Sequence, residues 1–264
     1  GINALRLNRR NEGAPATMDA LRAAAQSQGG TAPQTVSAPL RVFGATVFPG
    51  SVDRVVVTLN ETDRDRVLHE VRNATDQADY VIVNSHSHEP GNASVTPPEW
   101  MVDFTHQAID AGASAFIIHG PHQLRGVEIY QGRPIFYSLG NFVFQNETLL
   151  RLPAENYEAY GLEADNHVAD FNMSRYSNET TGFPANPEIW ESVVARPTFA
   201  NGELTELALH PITLGFGMPA WVRGRPMLAR GDLAEKILND LRERSAPYGT
   251  EIDVRDGVGY VRVR

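Results

Sequence analysis

Two stretches decide the fold: Tyr80-Val81-Ile82-Val83-Asn84-Ser85-His86-Ser87-His88-Glu89 and Ala115-Phe116-Ile117-Ile118-His119-Gly120-Pro121-His122. Each is a short continuous apolar run, the pattern of a strand covered on both faces, and each breaks off in polar residues. Between them Thr96-Pro97-Pro98-Glu99 opens a helix through Met101, Phe104, Ala108 and Ile109, and Gly112 closes it. Strand, helix, strand implies two parallel strands joined by a right-handed crossover. Such strands end on the same side of their sheet, where open α/β sheets bind ligands. His86, His88 and Glu89 leave the first strand there, and His119 and His122 leave the second, all within about 5–10 Å of one point. Neutral imidazole is the commonest protein metal ligand. Half of the chain's eight histidines gathered at one edge therefore predict a metal site, with one ion or two.

Upstream, Val67, Leu68, Val71 and Ala74 recur at helical spacing and predict an amphipathic helix over 62–77 with Thr62 as its cap. Arg41–Phe48 and Val52–Leu59 read as strands around a Pro49-Gly50 turn. Residues 1–40 read as a connecting segment holding one short helix, Met18–Gln28, stopped by Gly29-Gly30 and Pro33. Downstream, Val127–Tyr130 and Pro134–Ser138 flank Gln131-Gly132 as a hairpin, and Glu191–Phe199 with Glu203–His210 form a second around Asn201-Gly202. Residues 146–190, polar and punctuated by prolines, read as a long loop or lid. Leu233–Arg244 reads as an amphipathic helix and Gly259–Arg264 as a last strand. The expected organisation is one α/β domain over 1–264, with its site-bearing core at 41–145 and a second sheet with the C-terminal helix at 191–264.

The composition narrows the chemistry. The chain has 264 residues and no cysteine, so disulfides, thiolate nucleophiles and Cys-based metal sites are excluded. A formal charge of −9 argues against nonspecific binding to nucleic acid or to anionic lipid. No apolar run approaches the length of a membrane span. Six Asn-x-Ser/Thr sequons, at Asn60, Asn73, Asn92, Asn146, Asn172 and Asn178, suit an exported protein.

From Ala78 to Phe144 the chain closely resembles the CapA family of capsule and poly-γ-glutamate biosynthesis proteins. The likeness rests on Asn84-Ser85-His86-Ser87-His88-Glu89, on His119-Gly120-Pro121-His122, and on Ser138-Leu139-Gly140-Asn141-Phe142. That family is similar to the calcineurin-like metallophosphoesterases, and the resemblance implies the C-terminal half of an αββα sandwich with mixed sheets. His86, His119 and His122 match the family's histidines and are the implied metal ligands, for a divalent ion such as Mn, Fe or Zn. His88 is implied as a further ligand or a general acid, and Glu89 as a base or as the group orienting a ligand histidine. Arg125 either holds an anionic substrate or pairs with Glu128, and Asn141 either contacts substrate or caps the turn after its strand. The sequence also departs from the family: Ile118 replaces a motif Gly, and Gly120 replaces the middle His, which His88 would supply instead.

The family's opening Gly-Asp motif has no counterpart before Gly1, so the chain reads as the C-terminal part of a longer protein, inert by itself. The implied activity is a metal-dependent hydrolase acting on a phosphoester or an anionic polymer at the cell envelope or extracellular face. The alternative is a non-catalytic accessory protein that binds or guides such a polymer in a membrane-associated capsule synthesis complex.

Overall fold

The computed structural model describes residues 4–27, 37–163 and 165–263. Where the sequence reading expects one domain, the chain divides into two compact units, residues 1–70 and 71–264.

The first unit contains β1 (Leu7–Gly13), α1 (Pro15–Ser27), β2 (Leu40–Val42), β3 (Ala45–Pro49), β4 (Arg54–Leu59) and the start of α2 (Glu61–Thr75). Its sheet order is β2-β3-β1-β4, so β1 separates two strands expected to be neighbours. The expectation of a connecting segment is corrected here, because residues 7–13 form an inner strand. Only Leu7 in that strand is apolar, but its backbone is paired on both sides, in parallel with β3 and antiparallel with β4. Glu12, buried within it, is neutralised by Arg54 and Arg10. Met18 of α1 packs with Leu40 and Val42, which gives the unit its small core. Gly29, Gly30 and Pro33 lie outside the described residues.

Asn60, not Thr62, caps α2: its Oδ1 accepts from the Asp63 N–H at 3.1 Å. Asp63 in turn accepts from Arg6 through the backbone N–H at 2.9 Å, Nε at 2.8 Å and Nη2 at 2.9 Å. These bonds hold its carboxyl down to about 2. A carboxylate depressed in the folded state stabilises fully above its unfolded pKa, about 4, and loses that contribution as pH falls through the folded value. In urea unfolding, Asp63→Asn is therefore expected to be less stable than the wild type at pH 7 and nearly equal to it at pH 2. An equal deficit at both values would contradict this.

The second unit begins with β5 (Ile82–His86), α3 (Glu99–Asp110), β6 (Ala115–His119), β7 (Val127–Tyr130) and β8 (Arg133–Phe136). The sheet order is β5-β6-β8-β7, with β6 parallel to both neighbours and β7 antiparallel to β8, a mixed sheet. The crossover stands as expected, and α3 buries Trp100, Met101, Phe104, Ala108 and Ile109. Gly112 follows it with φ +107°, a conformation that favours glycine. One expectation fails: β5 is not covered on both faces. It is the edge strand, and Ile82 is 63 % exposed.

Residues 146–190 form short 3₁₀ turns and two helices, α4 (Ala154–Glu158) and α5 (Val168–Arg175). The guanidinium of buried Arg223 bonds both Glu147 and Glu179 at 2.6 Å and lies over the Trp190 ring. Beyond it lie β9 (Glu191–Ala200), β10 (Glu203–Thr213), β11 (Met227–Leu228), α6 (Gly231–Ser245), β12 (Ile252–Arg255) and β13 (Val258–Val261). The second sheet runs β11-β10-β13-β12, with β9 also paired to β10. Leu207 and Leu209 of β10 meet Ile237, Leu238 and Leu241 of α6, together with Val127 and Phe136, in the main core. Each such fully buried side chain contributes about 1.5–3 kcal/mol. The last strand ends at Val261 rather than at the C-terminus, and β12 was not anticipated.

Candidate functional site

The parallel register of β5 and β6 sets His86 opposite His119, and the ladder continues one step further, with Ser87 N–H donating to His119 O at 2.8 Å. The Nε2 atoms of His86 and His88 are 3.2 Å apart. The rings of His88 and His122 lie with centroids 5.5 Å apart. The structure thus brings all four predicted histidines to one sheet edge. Gly120, at φ +132°, makes the approach possible: a Cβ there would lie 2.4 Å from Ser87 O.

Two amides orient two of the rings. Asn141 donates through Nδ2 to Ile189 O at 3.1 Å, which leaves Oδ1 to accept from His122 Nδ1–H at 2.9 Å. Asn92 Oδ1 likewise faces His88 Nδ1 at 2.7 Å. An amide oxygen only accepts, so each ring meets its amide through Nδ1–H and turns Nε2 away from it. Asn141 is therefore a positioning residue for His122. The sequence reading takes Asn92 only as a sequon and misses this orienting role, whose one signal is an Asn four residues after His88.

Arg125 is corrected as well. It is fully buried, and it donates from Nε to Ser94 O at 2.9 Å, from Nη1 to Glu89 O at 2.9 Å and from Nη2 to Gly91 O at 3.2 Å. Burial pushes its guanidinium down to about 10. With every branch engaged by main-chain carbonyls, it holds the 89–94 loop and has no arm left for a substrate. Buried Gln123 adds a bond to Asn92 O. Glu89 sits at the start of this loop, its N–H donating to Ser87 Oγ at 3.3 Å. The alternative partner of Arg125, Glu128, instead bonds His106 and Tyr137.

An aromatic wall completes the site. Phe183 and Phe144 lie 5.0 and 5.8 Å from the His122 ring, and Phe144 meets Trp190 edge-on. Residues from both ends of the irregular 146–190 region and its borders thus face the cluster. Of the remaining histidines, His106 stacks on Tyr130 and His167 caps α5.

As a metal centre the cluster is incomplete. Two nitrogens on one ion, each at about 2.0–2.1 Å and at a tetrahedral angle, would be about 3.3–3.4 Å apart, close to the His86–His88 separation. Burial, and His86 beside it, lower the pKa of His119 and favour the neutral imidazole that binds a cation. Yet among the described residues no three His, Asp or Glu side chains are arranged to hold one ion together. The donor set fits as a pair of ligands, not as a closed cage.

A family model for the bacterial capsule synthesis protein PGA_cap matches residues 7–146, a span that includes every histidine of the cluster. The chain belongs to this family. Its α/β architecture with mixed sheets is the metallophosphoesterase-like one that membership in the PGA_cap family carries. Along its whole length the chain is 37 % identical to the uncharacterized proteins y4sH and y4uA of Sinorhizobium fredii, covering 59 % of each. It thus spans about three fifths of the length of these curated relatives. The PGA biosynthesis protein CapA of Bacillus subtilis is 41 % identical over 75 residues, which is 28 % of this chain and 19 % of that protein. Among the described residues no helix is long and apolar enough to cross a membrane.

Proposed function

We propose that this PGA_cap chain contributes the imidazole side of a metal-dependent hydrolase site that acts on a phosphoester or an anionic polymer during capsule synthesis at the cell envelope. The 3.2 Å separation of the His86 and His88 Nε2 atoms carries the reading. His86 and His88 would hold a divalent ion, Mn, Fe or Zn, with His119 and His122 beside them. When bound, such an ion polarises a phosphoryl or acyl oxygen and makes water acidic near neutral pH. The chain's own residues orient and shield: Asn92 and Asn141 keep the two rings turned with Nε2 outward, while Phe144 and Phe183 keep water from one side of His122. In the alternative role that the resemblance implies, His88 would give a proton to a leaving group instead of ligating the ion, and Glu89 would take one from water.

Calorimetric titration of Zn²⁺ and Mn²⁺ into the chain tests this. The wild type is expected to bind metal, His86→Ala and His88→Ala to lose binding, and Asn92→Ala to weaken it by about 10–100-fold, as for removal of an orienting partner. The incomplete ligand set favours a second reading, a non-catalytic protein that guides an anionic polymer. A chain that binds γ-linked polyglutamate but takes up no metal and turns over no phosphoester would establish that reading and end the first.

A further inference from the structure

Beside the histidine cluster, two segments expose apolar side chains that the site does not use. Phe142 and Val143 follow Asn141, and Leu150 lies a few residues on, 93 % exposed. Opposite them Phe216 and Trp221 project from the connection between β10 and β11, Trp221 at 84 % exposure. The segments are fastened together: Phe144 N–H donates to Gly224 O at 2.8 Å, and Arg223 bonds Glu147 at 2.6 Å. The two segments are thus joined at their bases, and both carry exposed aromatic or aliphatic side chains.

Charge decides among the possible occupants. The protein is acidic overall, but residues 207–231 contain no Asp or Glu and three arginines. Arg223 bonds both Glu147 and Glu179 and offsets one of their two charges. Arg151, next to Leu150, and Arg225, next to Gly224, are exposed and have no ion-pair partner among the described residues. Exposed Trp, Phe and Leu flanked by unpaired arginine is the composition that settles at the boundary between lipid headgroups and acyl chains. A second copy of the same face would instead bring like charges together.

We propose that the surface built from residues 142–151 and 216–225 docks on an anionic lipid bilayer. The inference does not depend on whether the histidine cluster hydrolyses anything.

Trp221 supplies its own reporter, since Trp100 and Trp190 are only 9 % and 2 % exposed. The chain is mixed with phosphatidylcholine vesicles with or without phosphatidylglycerol, and binding is read by co-sedimentation and by quenching from brominated lipid. Binding is expected to require phosphatidylglycerol, to fall with salt, and to quench Trp221. Arg151→Gln and Arg225→Gln should each weaken it by about fivefold, and Trp221→Ser or Leu150→Ser by about tenfold or more. Absence of binding, binding without quenching, or binding indifferent to these variants overturns the proposal. So does sedimentation showing a dimer that Trp221→Ser dissolves while vesicles stay bare, which would make a second copy the occupant.

Discussion

Arg125→Met loosens the 89–94 loop and releases His88 from Asn92. The guanidinium satisfies three main-chain carbonyls from a fully buried position, and no carboxylate among the described residues pairs with it. An acceptor stripped of its partner costs about 1–3 kcal/mol when buried. Parts of this loop are exposed and open to water, so the expected loss is about 2–4 kcal/mol, measurable by chemical denaturation. The His88 ring should lose its fixed Nδ1–H tautomer in ¹⁵N spectra. Arg125→Lys separates charge from shape: an ammonium on one stem cannot span three carbonyls, and most of the loss should persist. If lysine restores full stability, the guanidinium fork is not what holds the loop.

Gly120→His places an imidazole where the resemblance to the CapA family implies one, and it is expected to damage the site. A Cβ at residue 120 would meet Ser87 O at 2.4 Å and Ser87 C at 2.6 Å, both backbone atoms, from a φ of +132°. One strand end must move, and the His119–Ser87 backbone bond goes with it. The expected destabilisation is about 2–4 kcal/mol, and Gly120→Ala should show nearly the same. Metal uptake should fall, because the approach of β5 to β6 sets the spacing of the imidazoles. Tighter metal binding by Gly120→His with undiminished stability would show that the missing histidine, not the close approach, limits this site.

The strand-helix-strand unit and its four histidines were legible because apolar runs, a proline-opened helix and abrupt polar ends each have a local signature. β1 was not, since Leu7-Asn8-Arg9-Arg10-Asn11-Glu12-Gly13 carries no alternation; ladders on both sides make it a strand. Arg125 misled for a related reason: arginine is rarely fully buried, and the carbonyls that hold it lie more than thirty residues upstream. Asn92 acts on His88 only once that loop is closed. Asn141 was marked by its motif, but its bond to Ile189 O, which fixes the amide's direction, belongs to the tertiary fold. The edge position of β5 was equally invisible, because an apolar run has the same pattern whether or not a neighbour covers it.

Arg223 grips Glu147 and Glu179 with the same nitrogen, while Phe144 and Phe183 stand outside that span. Chain between the two glutamates is an excursion whose ends meet at a single clasp. Lengthening the chain between Glu158 and Val168 is therefore expected to cost little beyond loop entropy, because the clasp already brings the ends of the excursion together and Phe144 and Phe183 keep their places beside His122.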